Sequence, residues 1–419
     1  MKSGKLFNFF IYKYLYCKDR VAEKGVFFPF FWVSKMIFIE FFWVISLPIS
    51  LPLHFLGFRA VPVNVTRIGH LASEIDAFLK DIQLGNIEHK KWFILAPNEK
   101  VVNPTLLEYW RKHIRVISGK WKCIFFSLMT RHGLITQDTK HYVWSMGKSA
   151  TYYSIQKDWG QRPPILKLEM DHRNKGWRIL QDWGIPKDGW FISIHARENG
   201  YSPEDESIHA HRNSKIERLI PVICEIRRRG GWVIRMGDPT MQKLPPMEGV
   251  IDYAHSSYRS DWMDIFLCAE NKFFLGNSSG LSILATVFGV PCALANMVPT
   301  SHLGFSAFDL SIPKLIWSKK KNRYLSFHEI FTSEISNFRL AKLFEYADLV
   351  PEENSSEDIL DFTTEMLDKL EGKFVPLPED ESLQAQYKSY LKPHHYGFGT
   401  ASRVGSLFLR KYQDLFLPP

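Results

Sequence analysis

Cysteine is scarce. The 419-residue chain has five, at Cys17, Cys123, Cys224, Cys268 and Cys292. They are odd in number and widely spaced, and no pair has the two-residue spacing of a zinc or redox site. Most fall in apolar stretches, where a thiol serves as a small buried hydrophobe. A disulfide framework is excluded, and a reducing compartment is indicated. Also missing are G-x-x-x-x-G-K-[ST], G-x-G-x-x-G, H-E-x-x-H and G-x-S-x-G. No predicted strand ends in Asp-x-Asp, so a metal-bridged diphosphate site is not indicated. Internal repeats and low-complexity tracts are absent. A clean spanning helix is lacking as well, because the longest uncharged apolar stretch, 41–58, carries Pro48, Pro52 and His54.

What is present is globular: 45% hydrophobic and 23% charged residues. The formal net charge of +9 favours an anionic partner. The densest basic clusters, Arg227–Arg229 and Lys319–Lys321, are short and not interleaved with aromatics. Nucleic acid is therefore not expected as a partner. Aromatic residues crowd into 26–58, VFFPFFWVSKMIFIEFFWVISLPISLPLHFLGF. No cleavage site follows. Upstream lie Lys2, Lys5, Lys13, Lys18, Arg20 and Lys24, a charge that suits anionic headgroups. Residues 1–58 thus read as a basic, aromatic, membrane-associating segment, with Trp32 and Trp43 at headgroup depth. Aromatic helices packed on the protein body are the plainer alternative.

Beyond residue 58, strand and helix patterns alternate. VPVNVTRI (61–68) reads as a strand, 70–83 as a helix, KWFILAP (91–97) as a strand, and Asn103-Pro104 as a helix cap followed by a first-turn proline. IRVIS (114–118) is the next strand. After a break near 158–164 a second alternation runs through WFISIHA (190–196), GWVIRMG (231–237), NKFFLG (271–276) and VPCALAN (290–296), each leading to or from a helix. The expected class is α/β, with two Rossmann-like domains facing each other, at 59–172 and 173–375. A tail, 376–419, would pack back on the first domain.

Ligands of such sheets bind at the carboxyl ends of strands, so three strand exits are singled out. In VTRIGHLA (65–72), Arg67, Gly69 and His70 open a helix whose free N–H groups could meet an anion. In FISIHARENGY (191–201), His195 and Arg197 share one face of an extended chain, and Arg212, Asn213, Arg235 and Asp238 follow at later mouths. Guanidinium groups bind phosphate oxygens bidentately and keep their charge. Salt bridges with Glu198, Asp205 and Asp238 are the alternative use of these arginines. The third exit, Asn277-Ser278-Ser279-Gly280, puts small hydroxyl residues and a glycine at a helix start, where they can cap the helix or hold phosphate.

The runs HARENGY, HRNS, RGGWVIRMGDP (229–239), IDYAHS (251–256), SDWMDIFLCA (260–269) and GNSSGLS through FGVPCALAN resemble glycosyltransferases encoded in bacterial surface-polysaccharide gene clusters; RIGHLA (67–72) matches as well. His195-x-Arg197 is also similar to the His-x-Arg-x-x-Asp motif of GT-B fucosyltransferases, although Gly200 stands where that motif has Asp. The resemblance implies a GT-B fold, a nucleotide-sugar donor whose diphosphate meets Arg197, and sugar transfer, without naming the sugar. The expected function is metal-independent transfer to a surface-glycan acceptor, lipid-linked or not, in capsule or lipopolysaccharide synthesis. His70 and Glu198 are the candidate general bases. No cofactor or metal is expected. The expected location is cytoplasmic, on the inner face of the membrane. A nucleotide-sugar epimerase and a non-catalytic membrane-docked scaffold are the rival readings.

Overall fold

The computed structural model describes residues 28–130, 133–136, 149–200 and 203–417. The chain runs through α1 (Phe28–Phe55), β1 (Phe58–Ala60), α2 (Ile68–Gln83), β2 (Lys91–Leu95), α3 (Pro104–Arg111), β3 (Arg115–Ile117) and α4 (Lys120–Thr130). Next come α5 (Ser149–Trp159), α6 (Met170–Asp182), β4 (Phe191–His195), α7 (Pro203–His209), α8 (Ile220–Arg228), β5 (Trp232–Arg235) and β6 (Val250–Ile251). Helix α9 (Asp261–Glu270), β7 (Phe274–Gly276), α10 (Gly280–Val287), β8 (Cys292–Met297), β9 (Leu310–Pro313), β10 (Leu315–Ser318) and β11 (Arg323–Tyr324) follow. The chain ends with α11 (Phe327–Phe331), α12 (Ala341–Tyr346), β12 (Leu349–Glu352), α13 (Ser356–Leu370), α14 (Pro378–Tyr390), β13 (Arg403–Val404) and α15 (Ser406–Lys411).

Two compact units result. The smaller comprises the described residues of Met1–Pro62, Lys90–Pro97 and Val116–Asp138. It holds the three-stranded sheet β1-β2-β3 with α1 and α4. Its core is Ala60, Phe93, Met129 and Ile135. The strand expected at 61–68 lies earlier. Phe58–Ala60 pairs in parallel with Lys91–Phe93, and Ala60 N–H reaches Ile135 O, while Pro62 has no N–H to continue a ladder. No described helix is long and apolar enough to cross a membrane.

The larger unit is built on a seven-stranded parallel sheet of order β13-β9-β8-β7-β4-β5-β6. Every residue of β4, β8 and β9 is buried. That is why β4 and β8 read as mostly apolar runs rather than strict alternations: a parallel sheet is covered on both faces. The sequence places the helices 70–83 and 103–113 in a separate first domain, but α2 and α3 belong to this unit. Asn103 caps α3 as its sequence indicates, accepting from Leu106 N–H at 2.8 Å with Pro104 at the first position. The tail, 376–419, lies in this unit too. It adds β13 beside β9 and buries Leu383, Tyr387, Phe408 and Phe416 with Phe327 and Phe362 in the sheet's own core. Burial of four large apolar side chains drives that placement. A small antiparallel sheet, β11-β10-β12, completes the unit.

Candidate functional site

The strand order locates the crevice. From β4 the chain steps outward to β5 and β6, then returns to the other side of β4 with β7, β8 and β9. The order reverses between β4 and β7, the switch point where open α/β sheets bind ligands beyond their carboxyl ends. His195 pairs with Gly276 in register there. The second and third strand exits therefore face one another across that switch point.

A side chain bridges them. The Arg212 guanidinium donates to the Ser278 carbonyl and, at 3.3 Å, to Ser278 Oγ. Asn277 Nδ2 donates to Arg212 O at 3.0 Å and Ser214 Oγ at 3.1 Å. Its Oδ1 is buried without a hydrogen-bond partner among the described residues. Ser279 caps α10, and Ser282 Oγ returns a bond to Ser279 O at 2.8 Å. Arg212 and the first N–H groups of an eight-residue helix thus converge on one loop.

The first strand exit joins the third. Gly69, in the first turn of α2, and Gly280, at the start of α10, are in direct contact. A Cβ on Gly280 would meet Ile68 Cγ2 at 2.6 Å, and one on Gly69 would meet Gly280 Cα at 3.1 Å. Gly69, expected to admit a ligand, admits a helix instead. His70 follows it, half-buried, with Nδ1 2.8 Å from Glu74 Oε1. Glu74 is buried, and its other oxygen accepts from Asn64 N–H at 2.8 Å. A carboxylate on Nδ1 fixes the N–H there and leaves Nε2 as an acceptor. This is the arrangement of an oriented base. Arg67, exposed, precedes the helix.

The remaining expected residues are committed elsewhere. His195 is buried, and its Nδ1–H donates to Met236 O at 3.1 Å. Burial, with Arg235 and Arg197 adding to it, pushes its pKa down to about 4, so it is neutral at pH 7 and ties β4 to β5. Of the His195–Arg197 pair, Arg197 alone is a cation at pH 7. Arg197 contacts Asn213 Oδ1 and, at 3.3 Å, His209 O; Glu206 lies 3.9 Å away and accepts from Asn213 Nδ2 at 2.6 Å. These bonds fasten the 206–213 turn that carries Arg212. Asp238 caps its own turn, accepting from Thr240 N–H at 2.9 Å.

Arg235 is fully buried. It pairs with Glu198 and Asp252, each at 3.0 Å, and donates to Gln242 O at 2.9 Å. Glu198 also accepts from Gln242 N–H at 2.8 Å. A buried guanidinium must be compensated, and these two carboxylates do it. Neither Arg235 as a phosphate clamp nor Glu198 as a base fits that arrangement.

Three groups escape the sequence reading. His302 has a pKa pushed down to about 3 by burial, with the charges of Arg339 and Arg212 adding to it, so its imidazole is neutral. The Arg339 guanidinium lies 4.5 Å over the Tyr396 ring. Lys314, its pKa pushed down to about 8 by burial, donates to Asn213 O at 2.8 Å and lines a cleft of about 380 Å³ with His211 and Glu353. None of these carries a local motif. Glu74 does: it stands four residues after His70 on a predicted helix, the spacing that puts two side chains on one face.

Among the described residues no group of three or more His, Cys, Asp and Glu could hold a metal ion. No family model matches the chain, and no curated protein does. Solved structures similar to it include the family 9 glycosyl transferase of Veillonella parvula, at 13% identity over 72% of this chain and 79% of that one, TM-score 0.35. The ADP-heptose lipopolysaccharide heptosyltransferase II of E. coli is 11% identical over 61% of this chain and 90% of its own, TM-score 0.41. The iron-containing dodecameric glycosyltransferase TibC of enterotoxigenic E. coli is 13% identical over 61% and 62%, TM-score 0.36. At these values the likeness assigns no residue role and no substrate to this chain.

Proposed function

We propose that the chain is a glycosyltransferase of GT-B type that moves a sugar from a nucleotide-sugar donor to a surface-glycan acceptor. The observation that carries the reading is the convergence at the switch point of Arg212, the Ser278–Gly280 helix start and, through the Gly69–Gly280 contact, the His70–Glu74 pair. The donor diphosphate lies against Arg212 and the amides of Ser278–Gly280, where a cation and a helix N-terminus take up charge as it develops. His70 Nε2 accepts the proton of the acceptor hydroxyl. The oxygen attacks the anomeric carbon as the bond from that carbon to the phosphate oxygen breaks, and its electron pair leaves with the nucleoside diphosphate. One displacement inverts the configuration. Arg197 and Asn213 position the loop rather than bind phosphate, and Glu74 orients the base.

Charge on the leaving group is met by Arg212 and the helix end, so transfer is metal-independent. The chain works on the cytoplasmic face of the membrane, where nucleotide sugars and lipid-linked glycans meet. Incubating the purified chain with nucleotide sugars, with and without a surface-glycan extract, tests this. Expected are release of nucleoside diphosphate with sugar joined to the extract, unchanged in EDTA. An epimerised nucleotide sugar formed without acceptor would overturn the reading in favour of an epimerase.

A further inference from the structure

In the smaller unit α1 is polarised the wrong way round for a water-facing helix. Two of its serines, Ser46 and Ser50, point inward. Ser50 is fully buried and Ser46 nearly so, and their hydroxyls lie 3.5 Å from Met129 O and 3.4 Å from Leu128 O of α4. At about 100° per residue, Ile37, Phe41, Val44 and Phe55 fall together on the opposite side, and all four are exposed, Phe55 at 83%. Pro48 and Pro52 fall in the same sector and are exposed too. Helix α4 repeats the pattern. It buries Cys123 and Met129 and leaves Trp121 (77%), Ile124 and Phe125 exposed. An exposed apolar stripe on one helix of a pair is a binding surface far more often than a solvent face.

The charges around it indicate the occupant. Trp121 is flanked by exposed Lys120 and Lys122, and Lys120 Nζ lies 6.0 Å from its ring centroid. Lys91 is also exposed, with Nζ 5.1 Å from the Phe58 ring. Helix α4 contains no carboxylate, and on the described part of α1 Glu40 stands only at the edge of the stripe. Lysine is depleted from protein–protein interfaces, and a second copy would set these lysines against one another. Lysine beside tryptophan at the margin of an apolar surface suits phospholipid headgroups.

We propose that the α1–α4 pair is a docking surface for an anionic phospholipid bilayer, in which α1 lies in the plane of the leaflet and the Lys120-Trp121-Lys122 tip of α4 sits among the headgroups. The proposal deepens the peripheral location proposed above by assigning α4, not α1 alone, to the contact. Trp43, half-buried in the structure, is not on the exposed stripe, and Trp121 takes the anchoring part. Trp32 lies among side chains outside the described residues.

The test is co-sedimentation of the full chain with vesicles of phosphatidylglycerol and phosphatidylethanolamine, and separately with phosphatidylcholine alone. Lys120→Glu and Lys122→Glu change exposed side chains, so folding is retained and checked by thermal melting. Each reverses a charge, a change of two units, and should weaken binding to the anionic vesicles roughly 30-fold, with little change on phosphatidylcholine. Trp121→Ser with Phe125→Ser should weaken binding to both. If the wild type binds neither vesicle, the peripheral location itself falls. Vesicle binding that none of these α4 changes alters overturns the surface assigned here and leaves peripheral location standing. A lipid-free dimer abolished by the same changes would show that a second copy covers this face and overturns the proposal.

Discussion

His70→Ala is expected to lower kcat by roughly 10²–10⁴-fold, the usual contribution of a positioned general base, while leaving nucleotide affinity unchanged. The expectation follows from geometry. Glu74 Oε1 holds Nδ1 at 2.8 Å while Glu74 Oε2 accepts from Asn64 N–H, so the imidazole presents Nε2 without needing to reorient. Glu74→Gln keeps a hydrogen-bonding group but lets the amide present N–H₂ or O to the ring, so either tautomer is satisfied. It should cost less than His70→Ala and act on kcat, not on donor binding. Initial rates across donor concentration separate the two. A His70→Ala enzyme within tenfold of wild type would remove His70 from the chemistry.

Arg235→Ala should destabilise the larger unit by about 3–5 kcal/mol, the range for breaking a buried ion pair by removing one member. Glu198 and Asp252, with side chains 15% and 19% exposed, would be left beside each other without their shared cation. Gln242 O and one oxygen each of Glu198 and Asp252 would lose a donor. Thermal melting is the check: at roughly 2–4 °C per kcal/mol, Tm falls by about ten degrees. Adding Glu198→Gln and Asp252→Asn to the variant should recover part of the loss, because the repulsion between two desolvated carboxylates is then gone. A phosphate-clamp role would instead spare stability and cost donor affinity. Equal melting of Arg235→Ala and wild type would reopen that role.

The second alternation was legible in the sequence because parallel strands covered on both faces are mostly apolar, and β4 and β7 each end at a polar or glycine turn. Capping was legible too: Asn103 holds an N–H of its own first turn. Partnership across the chain was not. Glu198 stood in the sequence as an alternative ion-pair partner for the arginines, and it pairs with Arg235, but nothing local to Arg235 points to Asp252, 17 residues after it. The resemblance drew attention to Arg197, yet the residue that bridges the two exits is Arg212, whose contact with Ser278 spans 66 positions. At the N-terminal end the β-forming run 61–68 misplaced a strand, since pairing with β2 is fixed by Phe58–Ala60. Gly69 illustrates the same limit. A glycine at a helix start suggests ligand approach, but only the fold shows that Gly280 occupies the space.

The central claim is that the switch-point loop holds a nucleoside diphosphate through Arg212. Calorimetric titration of UDP, GDP and ADP into wild type, Arg212→Ala and His70→Ala tests it most directly. The account predicts that at least one nucleotide binds the wild type, that Arg212→Ala weakens it at least tenfold, and that His70→Ala binds it as wild type does. Binding of no nucleotide by the wild type, or equal binding by Arg212→Ala, would contradict it.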